Sequence, residues 1–441
     1  MIRRLSGSLL VARQLCGQRR IPFLPRDKIE ALRDRRVRSI VQFAARHVAF
    51  YRQWFADNRV DPRSIRTAGD LERLPLLEKA QLQAEPRRFV ADCLRYGMLF
   101  HTSGSTGRPL EVWHDRRSLL ANIAYGERER EPLIRLCRGA FRPKELHVSC
   151  EASTLNKVAA FYAENIWRPI TSRRVTIPVT LPLETIIETI NRYQPDVLVS
   201  YGEWISLFFR TLAARQIPSH LPKTAVYVSE TLARHEREWI EQKFGVPVLS
   251  RYNAAECFKI GYFCEERRGF HIHEDICHVR ICDERGHTVT DGQTGRIVIS
   301  NLVNRGTVLL NYCLGDYGSF SLERCPCGRT FRLLSEVVGR VHDILVLADG
   351  RLLHPLEVTQ VLKVERDVLQ YQLVQQQPRE FTLRLVTVDE QAFQRAKMQI
   401  LPRLQALLGS DARIDVQRQA EFPREPAGKF RAIVSCCRPP S

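Results

Sequence analysis

Residues 101–110, "HTSGSTGRPL", have side chains and glycines suited to binding an anion. Glycine lets the backbone approach a ligand closely and adopt positive φ, and hydroxyl groups add hydrogen-bond donors. The alternative is a hairpin turn, since "EVW" (111–113) has the character of a returning strand. It is not a Walker A loop, because no Gly-Lys-Ser/Thr ends it. The residues predicted to bind phosphate are Thr102, Ser103, Gly104, Ser105, Thr106 and Gly107.

A second set of residues offers ligands for a metal ion. Sulfur and imidazole groups are supplied by Cys264, Cys325, Cys327 and either His271 or His273. They match a closed structural Zn²⁺ site in number and type. The Cys-x-Cys spacing is tighter than a zinc-finger knuckle, so the alternative is a group of reduced, partly buried residues without a metal.

Helices and strands that would position these residues alternate over the first half of the chain. Apolar residues recur at three- and four-residue spacing over 28–58, which predicts a helix. Further helices are predicted at 118–137 and 153–168, a buried strand at 196–200, and a helix that Gly245 ends. Such alternation predicts an α/β fold with a mostly parallel sheet.

The pattern changes towards the C-terminus. From about residue 270 the sequence is β-rich with polar, glycine-containing turns, and the last hundred residues read as a small α+β domain. We therefore predict two domains, a large one over residues 1–338 and a small one over residues 339–441.

The composition bounds the class of protein. The 441 residues are 44% hydrophobic and carry a net charge of +18, from 57 Arg and 10 Lys against 49 acidic residues. No apolar run approaches the roughly 18 residues that span a bilayer. The basic residues are dispersed and lack a basic-aromatic motif, so we expect polyanionic small molecules rather than nucleic acid as partners.

Cysteine usage and the N-terminus bear on location. Thirteen cysteines, an odd number, without a clear secretory signal favour reduced thiols and a cytoplasmic location. The Arg-rich start, residues 1–23, has the composition of an organellar transit peptide. The interpretation that we adopt is the first basic helix of the domain.

Five motifs occur in an order typical of one superfamily. They are "TSGSTGRP" (102–109), "RYNAAE" (251–256), "NYCLGDYG" (311–318), "GRVHDILVLADGRLLHPLEV" (339–358) and "PREPAGKFRAIVS" (423–435). Together they resemble the motifs of the adenylate-forming acyl-CoA synthetases. "CPCGR" (325–329) narrows the resemblance to the phenylacetate–coenzyme A ligase-like branch. The resemblance runs from about residue 95 to 435. It implies a large adenylate-forming domain with parallel and mixed sheets and a small mobile C-terminal domain.

The resemblance implies a role for each motif residue in binding ATP. Residues 103–107 would hold the β- and γ-phosphates, Glu256 would lie at Mg²⁺, and Tyr252 would pack on the adenine. Asp316 would accept hydrogen bonds from both ribose hydroxyls, and Arg340 would support it. Each has an alternative: a surface carboxylate for Glu256, core packing for Tyr252, a plain turn for Asp316 and an interdomain salt bridge for Arg340.

Lys429 is the implied catalytic residue, bridging the substrate carboxylate and the α-phosphate oxygens. The alternative is a solvated loop lysine. Only 10 of the 67 basic residues are Lys, so a lysine at this motif position favours the catalytic role. Converting a carboxylate to an acyl-adenylate supplies a good leaving group, provided that the phosphates are held and their charge is neutralised.

Several residues depart from the family pattern. Cys313 stands where an arginine is frequent, and Asn253 and Ala254 replace a glycine and a larger residue. His342 occupies the position of an acidic hinge residue, where an imidazole could alter the swing of the small domain. Because of these departures, the sequence predicts the transfer of the acyl group to an acceptor less clearly than the formation of the adenylate.

The branch also carries a comparable Cys…His…Cys-x-Cys set. Its "Gly-apolar-His" pattern favours His271 over His273 as the ligand. Glu274 and Asp275 are then either outer partners of the ligands or a solvated turn.

The acid-binding pocket is predicted where strands of an α/β sheet end. The candidates in "SYGEW" (200–204) and "VSETL" (228–232) are Tyr201, Gly202, Ser229 and Glu230. The alternative is ordinary packing at strand ends.

The sequence thus predicts an ATP- and Mg²⁺-dependent ligase for a small-molecule carboxylic acid. It would form an acyl- or aryl-adenylate and pass the acyl group to a thiol, that of coenzyme A. One rival uses another acceptor, such as a carrier protein, an amine, a sugar or a cofactor. A second rival, from another class, is a zinc-stabilised nucleic-acid-binding protein, which would leave the nucleotide motifs unexplained.

Overall fold

The computed structural model has the mixed α/β architecture that the sequence predicts. Among the residues that it describes, no helix is both long and apolar enough to cross a bilayer. The described residues are 1–102, 109–139, 142–150, 153–167, 173–340, 345–353, 355–362, 367–422 and 430–437.

The helices and strands are numbered in chain order. The α-helices are α1 (Ile2–Leu15), α2 (Arg26–His47), α3 (Ala49–Asp57), α4 (Lys79–Ala84), α5 (Arg116–Leu136), α6 (Thr154–Asn165), α7 (Leu183–Tyr193), α8 (Gly202–Arg215), α9 (Arg234–Phe244), α10 (Pro355–Leu362) and α11 (Glu390–Leu408). The strands are β1 (Gly97–His101), β2 (Glu111–Asp115), β3 (Lys144–Ser149), β4 (Arg173–Pro178), β5 (Val197–Tyr201), β6 (Thr224–Val228), β7 (Val248–Tyr252), β8 (Gly261–Phe263), β9 (Phe270–Ile272), β10 (Cys277–Cys282), β11 (Gly295–Asn301), β12 (Tyr312–Phe320), β13 (Leu333–Arg340), β14 (Leu345–Val346), β15 (Leu352–Leu353), β16 (Val368–Gln377), β17 (Glu380–Thr387), β18 (Arg413–Gln419) and β19 (Ile433–Ser435).

The continuous helix predicted over 28–58 is wrong at one residue. Val48 is extended, with φ −121° and ψ 117°, and separates α2 from α3. It forms a bridge with Ala91, and the N–H of Asp92 donates to the carbonyl of His47 at 2.8 Å. This pairing with a distant segment interrupts the helix although the apolar spacing continues through it. The other helices predicted above are present.

The chain forms two compact units. The first comprises Met1–Arg142, Ala152–Ser172 and Leu249–Val337, and the second Pro143–Glu151, Arg173–Val248 and Val338–Ser441. One boundary therefore falls between Val337 and Val338. The division into domains 1–338 and 339–441 stays a prediction.

The first unit contains the β1–β2 hairpin and a sheet with the strand order β10-β11-β12-β13-β9-β8-β7. The pairings β10–β11, β11–β12, β13–β9, β9–β8 and β8–β7 are antiparallel, with a register shift in β11 between Arg296 and Val298. The motif residues of β7 and β12, Tyr252 and Asp316, belong to this unit.

The second unit contains a group of parallel strands, the short antiparallel β14–β15 pair and a mixed sheet. In the order β6-β5-β3-β4 the strands are parallel, and α7, α8 and α9 contribute to the apolar core beside them. β5 is buried along its whole length, and Gly245, at φ +68°, ends α9 as predicted. A mixed sheet, β18-β17-β16-β19, packs with α10 and α11 around a second apolar core, which is the predicted α+β segment.

Candidate nucleotide site and candidate metal centre

Two of the predicted nucleotide-binding residues are in contact. The hydroxyl of Tyr252, the last residue of β7, donates to Oδ2 of Asp316 on β12 at 2.7 Å. Gly315 precedes Asp316 with φ +81°, a conformation that favours glycine. Both side chains are half-buried, so Tyr252 is not a fully enclosed core residue. A phenol ring beside a carboxylate is suited to bind a base and a ribose.

Glu256 is not a surface carboxylate, because only 7% of it is exposed. It lies in the loop after β7, where its Oε1 accepts a hydrogen bond from the hydroxyl of Tyr312 at 3.3 Å. Burial, together with this carboxylate, holds the pKa of Tyr312 well above its usual value. Tyr312 therefore remains a donor at neutral pH, and the second carboxylate oxygen has the chemistry of a ligand for a hard cation such as Mg²⁺.

The predicted phosphate loop connects two antiparallel strands. β1 and β2 form a hairpin, so the returning strand of the alternative interpretation is present. Its ends are closed at Thr102, whose N–H donates to the carbonyl of Leu110 and whose Oγ1 accepts from the Leu110 N–H, both at 3.0 Å. Residues 103–107 lie outside the described residues, and their role as a phosphate loop stays a prediction.

The hairpin packs directly on the segment that carries Glu256. Nε2 of His114, on β2, donates to the carbonyl of Ala255 at 2.7 Å, and its ring stacks on Phe258 with centroids 4.1 Å apart. Burial lowers the pKa of His114 to about 4, so the imidazole is neutral and can make this bond at pH 7. The hairpin and the Glu256 segment are thereby held together.

Two asparagines that the sequence analysis missed complete this support. Asn301 donates to the carbonyl of Glu256 at 3.0 Å, and its side-chain oxygen accepts from the N–H of Asn304 at 3.0 Å. Asn304 in turn donates to the carbonyl of Trp113 on β2 at 2.9 Å. Both are buried. Their partners are far away in sequence, so the only available signal was two polar residues in an apolar stretch, "SNLVN".

Three further predicted residues cannot be located as side chains. Lys429 and His342 lie outside the described residues, and Arg340 ends β13 with a side chain that is not described. Phe430, which follows Lys429, is described. Its N–H donates to Oε1 of Glu230 at 2.9 Å.

The four residues predicted to line the acid pocket lie together in the second unit. Tyr201 and Val228 are paired at the ends of β5 and β6, so that Gly202, Ser229 and Glu230 follow at neighbouring strand ends. A Cβ on Gly202 would lie 3.1 Å from the Thr231 carbonyl, which explains a glycine there.

Glu230 makes contacts that the sequence did not predict. Its Oε2 accepts from the N–H of Glu203 in the first turn of α8 at 3.0 Å. The carboxylate therefore joins this helix to the residue after Lys429, because its other oxygen accepts from Phe430. This geometry indicates a positioning role, while the acid pocket itself stays a prediction.

Four ligand-type side chains converge in the first unit. The ligand atoms of Cys264, His271, Cys325 and Cys327 all lie within 4.8 Å of one another. The Cys264 and Cys325 sulfurs are 3.5 Å apart, and Nε2 of His271 lies 3.4 Å from the Cys327 sulfur. Tetrahedral zinc with bonds of about 2.3 Å places its sulfurs about 3.8 Å apart, so the residues fit this metal.

The local fold explains the convergence. Cys264 follows β8 and His271 lies on the antiparallel strand β9, while Cys325 and Cys327 come from the loop after β12. Hydrogen bonds from the neighbouring thiols lower the pKa of Cys327, and that of Cys264 is raised correspondingly. Nδ1 of His271 is buried and has no hydrogen-bond partner among the described residues.

His273, the alternative metal ligand, and its neighbours Glu274 and Asp275 have other partners. His273 lies 3.3 Å from Glu129 through Nε2. Asp275 is fully buried in a two-bond pair with Arg128, at 2.6 and 2.9 Å, and Glu274 pairs with Arg26 at 2.6 Å. Neither acid is a solvated turn residue, and both take part in ion pairs. His271, not His273, lies with the cysteines.

The comparisons with known proteins agree with this geometry. A phenylacetate-coenzyme A ligase from Thermus thermophilus is 26% identical over 455 residues, covering 93% of this chain and 97% of the relative. One from Escherichia coli is 24% identical, over 79% of both chains. A structure of 2-hydroxyisobutyryl-CoA ligase in the postadenylation state matches with a TM-score of 0.76 at 18% identity, covering 94% of this chain and 91% of that one. Residues 345–436 match the family model of the CapK C-terminal domain.

These matches agree with the ordered motifs in sequence, and the structural match supports the fold. Within the first unit, Tyr252 and Asp316 lie in contact, and the Glu256 segment is packed against the hairpin of the predicted phosphate loop. By sequence the chain is similar to phenylacetate–coenzyme A ligases over most of its length, and its fold is that of the adenylate-forming CoA ligases.

Proposed function

We propose that the protein is an ATP-dependent, AMP-forming carboxylic-acid ligase. The observation that carries this proposal is the contact between Tyr252 and Asp316 in the same unit as the buried Glu256. Asp316 would bind the ribose hydroxyls and Tyr252 the adenine ring. Thr102 and residues 103–107 would hold the phosphates, with Thr102 at the closed end of the hairpin.

The first step would be attack of the acid's carboxylate on the α-phosphorus, with pyrophosphate leaving. Glu256 would hold Mg²⁺, which supplies charge neutralisation at the phosphates when bound. Lys429 would neutralise charge on the carboxylate and the α-phosphate oxygens, and Arg340 would support Asp316. Glu230 would fix the backbone next to Lys429 through Phe430.

In the second step we propose that the acyl group passes to the thiol of coenzyme A, with AMP leaving. The curated relatives carry the name phenylacetate-coenzyme A ligase, which supports this acceptor. His342 would lie at the hinge of the small domain. The acid itself is a small-molecule carboxylate in the predicted pocket at Tyr201, Gly202 and Ser229.

A second candidate keeps the adenylation but uses a different acceptor, such as a carrier protein, an amine, a sugar or a cofactor. The observation that favours it is the set of departures at Asn253, Ala254, Cys313 and His342. Cys313 is buried on β12, three residues before Asp316, where the family frequently has arginine.

We further propose that Cys264, His271, Cys325 and Cys327 hold a structural Zn²⁺. The support is the fit of their spacing to tetrahedral coordination. The ion would tie the β8–β9 turn to the loop after β12. The cytoplasmic location stays part of the proposal and is supported by thirteen cysteines without a disulfide.

Product analysis tests the proposed function and separates its two forms. Purified protein is incubated with ATP, Mg²⁺ and a panel of aryl and fatty acids, with and without coenzyme A, and products are identified by mass spectrometry. We expect AMP and an acyl-CoA from at least one acid. Adenylate without acyl-CoA would favour the second acceptor class, and neither product with any acid would contradict the ligase.

A further inference from the structure

A cavity of about 700 Å³ lies in the first unit, at the base of the β1–β2 hairpin. Its walls come from α1, α3, the turn Pro86–Phe89, the start of α5 and α6. Gly97 and Asp115 pair at the hairpin end away from the predicted phosphate loop. Four residues of strand, about 13 Å, separate this end from His101. The cavity is therefore distinct from the site proposed for ATP.

The lining of the cavity is strongly cationic. Among the residues that the structure describes, the lining contains five arginines and one carboxylate, that of Asp92, a far larger excess than the 67 basic to 49 acidic residues of the whole chain. Asp92 already accepts from Arg52 at 2.7 Å and faces His47 at 3.0 Å. The remaining lining arginines are Arg3, Arg87, Arg95 and Arg116.

Two of these guanidinium groups converge, and no acid of the described residues lies between them. Nε of Arg3 and Nε of Arg116 donate to the same oxygen, Oδ1 of Asn165, at 2.9 and 3.1 Å. Burial and the neighbouring Arg3 charge lower the pKa of Arg116. A neutral amide cannot compensate two positive charges, whereas a bound anion can. Helix α1, which supplies Arg3, approaches the end of α6 very closely. A Cβ on Gly7 of α1 would clash with the Asn165 carbonyl at 2.1 Å.

The other two arginines are available to a ligand. The side chains of Arg87 and Arg95 make no hydrogen bond or ion pair with any residue that the structure describes, and both residues are exposed. Guanidinium groups bind phosphate through two parallel hydrogen bonds. The apolar part of the wall includes Trp113, Phe161 and Tyr96, a residue that is 76% exposed. The cavity thus offers several phosphate-binding groups beside aromatic surfaces.

We propose that this cavity binds the phosphorylated nucleoside part of a second small molecule. Its volume lies within the range of ligand pockets, and aromatic rings beside guanidinium groups suit a base with attached phosphates. This chemistry occurs both in coenzyme A and in nucleotide-linked sugars. The proposal also gives the arginine-rich helix α1 a binding role. It does not depend on the proposed adenylation.

Calorimetric titration with two probes distinguishes coenzyme A from nucleotide-linked sugars as the class of ligand. Adenosine 3′,5′-bisphosphate represents the coenzyme and uridine diphosphate the nucleotide sugar. Both are titrated into the full chain carrying Asp316→Ala, which weakens the site proposed for ATP. We expect one probe to bind, and Arg87→Gln with Arg95→Gln to weaken its affinity about tenfold or more.

Control variants distinguish binding at this cavity from non-specific electrostatic attraction to the positively charged protein. Arg20→Gln with Arg117→Gln removes two exposed arginines outside the cavity and should change the affinity less than about twofold. Arg3→Gln with Arg116→Gln, checked for folding by circular dichroism, should weaken binding as the first pair does. Failure of both probes to bind, or equal weakening by the control pair, would overturn the proposal. Product analysis of the wild type shows separately whether the ligase proposal fails.

Discussion

At the scale of single residues, Asp316 carries the proposed recognition of ATP. Its Oδ2 accepts from Tyr252, and the carboxylate is expected to accept from the ribose hydroxyls of ATP. Asp316→Ala should raise the KM for ATP about tenfold or more, because two hydroxyls of the bound nucleotide would lose their acceptor. Steady-state kinetics of AMP formation would measure it.

Tyr252→Phe is the matched control for this change. It keeps the ring that would pack on adenine and removes only the hydroxyl, so the KM for ATP should rise less than with Asp316→Ala. A KM unaltered by Asp316→Ala would exclude the ribose-binding role.

Glu230, a predicted residue of the acid pocket, makes two contacts that the sequence did not predict. Its carboxylate accepts from the N–H groups of Glu203 and Phe430. Glu230→Gln replaces one acceptor by a donor and should misplace the backbone beside Lys429. We expect kcat for adenylation to fall about tenfold with little change in the KM for ATP.

Glu184→Gln is the control for this variant, since Glu184 is an exposed residue of the same unit that pairs only with Arg215 among the described residues. Equal kcat values for the Glu230 and Glu184 variants would show that Glu230 does not position the lysine segment. If the substitution only destabilised the fold, the melting temperature would fall, but kcat would not decrease selectively relative to the KM for ATP.

At the scale of elements, the candidate zinc centre joins the β8–β9 turn to the loop after β12. Cys327→Ser should remove bound zinc and lower the melting temperature by about 5 °C or more, because the ion would contribute its binding energy to folding. Metal analysis and thermal unfolding with and without a chelator measure both effects. Cys16→Ser, an exposed cysteine outside the cluster, is the control.

An absence of zinc in protein purified with metal-supplemented buffer would contradict this centre. So would a melting temperature that neither Cys327→Ser nor the chelator changes.

The elements also show which parts of the fold were readable. Periodicity and Gly245 sufficed for α9, because local spacing and a left-handed cap define that helix. The break at Val48 was not readable, because its cause is pairing with Ala91. The grouping of Cys264, His271, Cys325 and Cys327 was readable from their residue types. The support of Glu256 by Asn301 and His114 could not be predicted from the sequence, since it depends on contacts between distant segments.

At the scale of the whole molecule, buried ion pairs link stability to pH. Burial alone would raise the pKa of Glu129, but the charges of Lys259 and Arg251 and the hydrogen bond with His273 outweigh it and hold the pKa at about 2. The nearest cation is Lys259, whose Nζ donates to Glu129 at 2.6 Å. This folded-state pKa lies below the unfolded value of about 4.3.

A lowered carboxyl pKa stabilises the folded state above the unfolded pKa and ceases to do so as pH falls towards the folded pKa. The free energy of unfolding should therefore decrease by about 3 kcal/mol between pH 5 and 2 from Glu129 alone. Glu129→Gln should be less stable at pH 7 by about 3 kcal/mol, because it leaves buried cations unpaired. Its stability should also depend less on pH below 5.

Urea unfolding at several pH values measures this linkage. Glu127→Gln is the control on the same helix, where the carboxylate pairs with the half-exposed Arg19. It should keep the pH dependence of the wild type. An identical pH profile for Glu129→Gln would contradict the linkage.

The central claim is that this molecule activates a carboxylic acid as an adenylate with Lys429. Exchange of labelled pyrophosphate into ATP, run over a panel of aryl and fatty acids, measures that step directly. We predict acid-dependent exchange that Lys429→Ala reduces by at least about a hundredfold, while Lys397→Ala, a lysine of α11, leaves it unchanged. Exchange that does not require an acid, or that survives in Lys429→Ala at the wild-type rate, would contradict the account.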